Sequence, residues 1–180
     1  MMEMFVTGVA LDARTNIPLV ILNDDERKYT LPIWIGQAEA QAIARGLTGA
    51  ETERPMTHDL MVDLIDSLEA EVDSIEINSY EESTFFASII ITDKSGNNLA
   101  IDARPSDAIS IALRLEASIF VSEKILEEVC GELQALHDSE DKIEPIADPE
   151  ARKEFKEFLK NVKASDFSLD RSNGNGFDFE

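Results

Sequence analysis

The feature that most restricts how this chain can fold is that part of it occurs twice. The stretch Leu31–Leu47 lies over Leu99–Leu115 without a gap. Leu31 matches Leu99, Ile33 matches Ile101, Ala40 matches Ala108, Ile43 matches Ile111, Ala44 matches Ala112 and Leu47 matches Leu115. Each copy reads as the second strand of a hairpin running directly into a helix. Two such units predict an α/β protein of the α+β type, with a mixed or antiparallel sheet built from two similar hairpin-helix units. Chance likeness of two strand-to-helix junctions is the competing explanation. Glu39 and Asp107 then occupy equivalent places in the first helical turn. The helix dipole favours carboxylates there, which explains them without any chemistry.

Periodicity extends this outline. Met4 to Leu11, Pro18 to Leu22 and Tyr29 to Ile35 read as strands, with Pro32 marking the last as an edge or bulge. Ala38 to Leu47 has helical spacing. Thr57 is the expected N-cap of a helix through Leu68, with Leu60, Met61, Leu64, Ile65 and Leu68 as its apolar face. Glu71 to Asn78, Thr84 to Thr92 and Asn98 to Ala103 are the next strands, and Ser95-Gly96-Asn97 turns between the last two. A helix is expected from about Ser106 to Leu115, a short strand at Ile119 to Val121, and a helix capped by Ser122. From Asp138 the character changes. Asp148 and Pro149 open a stripe of Phe155, Phe158, Leu159 and Val162. This gives a domain over 1–137, a linker and C-terminal amphipathic helix over 138–167, and a tail over 168–180. The stripe needs a surface to cover it, so a homo-oligomer, a dimer, is expected.

Composition sets limits. Of the 180 residues 43% are hydrophobic, enough for a packed core, and no apolar run approaches membrane-span length. The N-terminus has no basic region or small-residue cleavage site, and a lone Cys130 makes no internal disulfide, so a cytoplasmic location is expected. There are 37 acids against 16 bases, a net charge of -21. Such a chain repels polyanions and does not fit a passive nucleic-acid-binding module, which carries a basic footprint. Between Arg54 and Lys94 there is no base, and ten acids fall there. They are either a solvated acidic face or, for some of them, ligands for hard divalent cations.

Two places can carry chemistry. His58 stands beside Asp59 at the mouth of a helix, where it can move protons under the control of a carboxylate or simply pack and cap. The second is Asp102-Ala103-Arg104-Pro105-Ser106-Asp107 at a strand end and helix start. A helix N-terminus can receive a phosphate, Arg104 can clamp it, and Asp102 and Asp107 can ligate a metal. Equally, an Asp–Arg pair can lock the junction. His137 lies in a polar connection.

At these segments the chain resembles the bifunctional nuclease family, named for members that degrade both DNA and RNA. The likeness rests on Gly8 to Asp12 with Arg14 and Pro18, on Leu31 to Gly36 with Glu39 to Ile43, on Arg54 to Leu60, and on Ile101 to Ile109 with Ala112 to Arg114. It spans roughly Met4 to Glu128, and the C-terminal Phe155 to Phe167 also resembles the ending of many members. The resemblance implies a nuclease acting on DNA and RNA without strong sequence specificity. The residues that can perform it are His58, Asp59, Asp102, Arg104 and Asp107 in catalysis, Arg14, Arg104 and Ser106 on the substrate, and Glu39, Asp102 and Asp107 on a divalent metal, Mg²⁺ or Mn²⁺. The alternative is a non-catalytic oligomeric scaffold or binding protein. An enzyme should bring the His58 and Asp102–Asp107 segments together in one cleft; a scaffold should bury them in separate salt bridges.

Overall fold

The computed structural model describes residues 1–130 other than 13, 14 and 51. The chain divides into two units, Met1–Pro145 and Ile146–Glu180, and the described residues belong to the first. The expected stripe of Phe155, Phe158, Leu159 and Val162 lies outside them, as does the tail.

Strands β1 (Met2–Leu11), β2 (Pro18–Asn23) and β3 (Thr30–Trp34) form an antiparallel meander that leads into helix α1 (Gln37–Thr48). Helix α2 (Thr57–Ser67) follows. Strands β4 (Glu71–Glu81), β5 (Thr84–Thr92) and β6 (Asn98–Ala103) form a second antiparallel meander leading into α3 (Pro105–Leu115). Strand β7 (Ser118–Val121) and a short α4 (Glu123–Ile125), which continues as a π-helical turn over Leu126–Cys130, close the described chain. The seven strands make one sheet in the order β3-β2-β1-β7-β4-β5-β6. β7 joins the two meanders, antiparallel to β1 and parallel to β4. The sheet is therefore mixed, as the α+β reading expected. A β-β-β-α run stands on each side of β7; a common ancestry of the two runs rests on the sequence match alone.

The strands form because their apolar residues alternate. Val20, Leu22, Leu31 and Ile33 point to one face and are nearly inaccessible. Ile75, Ile77, Ala87, Ile89 and Val121 continue that face across β4, β5 and β7. Ile43 of α1 and Ile109 and Ile111 of α3 pack onto it at 0% exposure. Each such side chain contributes about 1.5–3 kcal/mol by leaving water. α1 and α3 pack closely where Gly46 faces Leu113. A Cβ on Gly46 would stand 2.9 Å from the Leu113 Cβ. α1 then stops at Gly49, whose φ of 61° suits glycine.

Some boundaries moved for identifiable reasons. Thr57 opens α2 rather than capping it; the capping position is Met56, whose N–H donates to the Asp59 carboxylate at 2.8 Å. α3 starts at Pro105, one residue earlier than expected, because proline fits the first helical position. The expected apolar face of α2 is only half used. Met61 packs against the core and Ile65 is half-buried, but Leu60, Leu64 and Leu68 are 52%, 53% and 70% exposed. Among the described residues no helix is long and apolar enough to cross a membrane.

In an exposed helix a Gly→Ala change stabilises by about 1 kcal/mol. At Gly46 the crowding against Leu113 reverses the sign. Gly46→Ala is expected to lower stability by about 1 kcal/mol, since overpacking costs about 1–3 kcal/mol. The urea midpoint measures it.

Candidate functional site

The site forms where the first turns of three helices meet. Arg104 stands between β6 and Pro105. A residue before proline is held extended, and Arg104 has φ -70° and ψ 145°. From there its side chain turns back over the first turn of α3. Nε donates to Asp107 Oδ2 at 2.8 Å and Nη2 to Asp107 Oδ1 at 3.2 Å. Nη1 reaches α1 and donates to Glu39 Oε1 at 3.0 Å. From α2, His58 Nε2 lies 3.1 Å from Asp107 Oδ1. Four candidate residues thus form one connected group: Glu39, His58, Arg104 and Asp107. His58 is 9% exposed, whereas the Arg104 side chain is 66% exposed.

Gly36 makes room for Glu39. A Cβ on Gly36 would collide with the Glu39 carboxylate, whose Cδ would lie 3.1 Å away. The carboxylate therefore folds over the start of its own helix and still meets Arg104.

A second ion pair fixes the neighbouring residue. Arg114, in the last turn of α3, donates from Nε to Asp59 Oδ1 at 2.6 Å. Its Nη1 also donates to the Ser110 carbonyl at 2.8 Å and to the Ala42 carbonyl of α1 at 3.3 Å. His58 and Asp59 are adjacent on α2, so α3 holds that helix start at two points. The Arg114 side chain is 12% exposed, which makes this a largely desolvated tie.

The charges shift accordingly. Burial alone would raise the Asp107 carboxyl, but hydrogen bonds from Arg104 and His58 outweigh it and hold it below the ordinary carboxylate value. Burial would also raise Asp59, and the bonds from Arg114 and the Met56 N–H outweigh it in the same way. The bonds to Asp107, and then to Glu39, raise Arg104, which stays charged.

The remaining candidates lie elsewhere. Asp102 pairs with Ser88 on β5, while its neighbour Ile101 pairs with the buried Ile89 on the helix side. Alternation therefore turns Asp102 away from the three helix starts, onto the opposite sheet face. Ser106 is 7% exposed within the first turn of α3, and its carbonyl accepts the Ser110 hydroxyl at 2.8 Å. Arg14 lies outside the described residues. Among the described residues no three His, Cys, Asp or Glu side chains gather as metal ligands. Both Asp107 oxygens and Glu39 Oε1 accept hydrogen bonds from Arg104 or His58. Sequence reasoning missed Arg114 and Gly36. A signal for Arg114 was present: in the sequence match of the two stretches it stands over Gly46, a long charged side chain against none.

Arg114→Met leaves Asp59 without its cation, and at neutral pH it is expected to cost about 2 kcal/mol, below the ~3–5 of a fully buried pair. A depressed carboxyl contributes stability that is complete above its unfolded value and disappears as pH falls through its folded value. The gap between wild type and variant in urea unfolding is therefore expected to narrow as pH drops below 3.8, the ordinary Asp value.

Comparison with known proteins bears on this geometry. A family model described as the bifunctional nuclease domain matches residues 20–134. An uncharacterized protein of Mycobacterium tuberculosis, from strains CDC 1551 / Oshkosh and ATCC 25618 / H37Rv, is 38% identical over 165 residues, covering 92% of this chain and 97% of that protein. Bifunctional nuclease 2 of Arabidopsis thaliana is 27% identical over 108 residues, 58% of this chain and 32% of its own length. Bifunctional nuclease 1 of the same plant is 26% identical over 110 residues, 59% of this chain and 34% of its own.

Proposed function

Because the chain belongs to the bifunctional nuclease domain family, we propose that it is a nuclease that hydrolyses phosphodiester bonds in DNA and RNA without strong sequence preference. The observation that carries the reading is the bond between His58 and Asp107, which joins the two segments singled out from sequence. Support also comes from the three helix starts. Glu39, His58 and Asp107 all lie in first turns, so the N-terminal ends of three helices, each carrying partial positive charge, lie close to Arg104. A phosphate can be favoured there although the chain as a whole repels polyanions.

In this proposal Arg104 holds the substrate. Three of its five N–H groups serve Asp107 and Glu39, and the other two are open to a non-bridging phosphate oxygen. Asp107 holds the Nε2–H of His58 and stabilises the imidazolium. The other ring nitrogen takes the proton of a water as its oxygen bonds to phosphorus, the P–O bond to the leaving sugar oxygen breaks, and that oxygen takes a proton from the imidazolium or from solvent. Asp59 and Arg114 position α2 without touching substrate. Glu39 sets the angle of the guanidinium. These steps use side chains alone, and dependence on added Mg²⁺ or Mn²⁺ is a separate part of the proposal. A cytoplasmic location belongs to it too.

A second reading rests on a specific observation: every charged member of the group already has an opposite partner within the protein. The same bonds can serve only to clamp α1, α2 and α3 in a scaffold. Purified protein given single-stranded DNA and RNA, with EDTA, Mg²⁺ or Mn²⁺, separates the two. His58→Ala is expected to reduce cleavage by about 100-fold or more. Arg104→Lys keeps the charge but loses the fork, and is expected to weaken substrate binding with little change in stability. Cleavage unchanged in both variants would place the activity elsewhere, and no cleavage under any condition would leave the scaffold.

A further inference from the structure

The helices cover one face of the sheet. On the other face, the β1–β2–β3 half presents an apolar patch, with the Asp12 carboxylate beside Trp34 and Glu3 on β1 at the border with β7. Pairing sets Ala10, Leu19 and Trp34 side by side, and Ile21 beside Pro32. They point away from Val20, Leu22, Leu31 and Ile33, which fill the core. Phe5, on the same face of β1, is 48% exposed, and Trp34 is 50% exposed. The Trp34 indole N–H donates to Asp12 Oδ2 at 3.2 Å, so its polar edge is satisfied while half of its surface stays in water. A run of this kind on a strongly charged protein marks an interaction surface.

We propose that this half-face is where two copies of the chain pack, sheet against sheet. Charge selects the occupant. Each copy carries -21, so two copies repel wherever carboxylates meet. The same sheet face beyond β7 carries Glu76 and Asp102, both paired with Ser88, and Glu3 marks the border opposite Phe120. Phe5, Ala10, Leu19, Ile21, Pro32 and Trp34 bring no charge, and a surface that meets itself across a twofold axis needs none. A nucleic acid would require cations that these six do not supply. A basic partner would be drawn instead to the acid-rich stretch between Arg54 and Lys94. Approach is face to face rather than edge to edge, because Pro32 on the outer strand β3 has no N–H to offer a further strand. Sheets so packed lie about 10 Å apart, close enough for Trp34 and Phe5 to be covered by the second copy.

The test uses the full chain and its single tryptophan. Trp34 emission and sedimentation mass are followed together through a dilution series at low and high salt. The expected result is a blue shift on concentration, in step with a doubling of mass. Added salt should strengthen association, because it screens the repulsion between two acidic copies. Phe5→Asp should stay monomeric with red-shifted emission, and Phe5→Ser, which is milder on the fold, should weaken the dimer. Phe86→Asp, 41% exposed on the other half of the same face, should dimerise like wild type. A monomer at every concentration overturns the proposal. So does a blue-shifted tryptophan at monomer mass, which would mean that something other than a second copy covers the face. Dimerisation indifferent to Phe5→Asp, or lost equally in Phe86→Asp, overturns it as well.

Discussion

The rest of the domain is arranged around α3. Seven of its eleven residues are buried, including both Ser106 and Ser110. A helix enclosed to this degree has little room for charge, yet it carries Asp107 near its start and Arg114 near its end. Both suit the helix dipole, but neither can be left unpaired in a poorly solvated position. Each must find an opposite or hydrogen-bonding group on another element. Asp107 finds His58 and Arg104; Arg114 finds Asp59 and two carbonyls. The placement of α2 follows from that requirement more than from its two leucines, Leu60 and Leu64, or the capping Leu68, all of which are more than half exposed.

This explains how one group of residues supports both a structural and a chemical reading. The bonds that pin α2 to α3 are the same bonds that orient an imidazole beside a carboxylate. What distinguishes the members is access. Arg114 is enclosed and acts on its neighbours, whereas Arg104 is largely open and keeps unused donors. Fixing the carboxylates from behind leaves the one solvent-facing cation in a set geometry, and rigid support of this kind is what a binding group requires.

Much of this was legible in the chain. The strand periods and the glycine turns report local rules, and local rules governed β1 to β6. The grouping of Glu39, His58, Arg104 and Asp107 was also readable as a set of residue types. Asp102 was not placed correctly by its closeness in sequence. It lies two residues from Arg104 in the chain, but a strand ends between them and the backbone turns into a helix. Side-chain alternation holds only while the strand lasts. The exposure of Leu60, Leu64 and Leu68 was equally hidden, since the periodicity of a helix shows which residues share a face and not how much of that face the fold will cover. Strand order was out of reach for the same reason, being set by pairing between residues far apart.

That order has a consequence for how the protein comes into being. The central strand, β7, is the last of the seven to be made. Each meander can close locally as it leaves the ribosome, but β1 and β4 have no shared neighbour until Ser118–Val121 has emerged. The seam then sealed joins Met4 to Ile119, both nearly inaccessible, across almost the whole domain. Closing so long a loop is a slow, entropically costly event that only the completed core offsets. Until that strand has emerged, the inner edges of β1 and β4 lack the neighbour that joins them, so the two halves of the sheet cannot unite before the last of the seven strands is made.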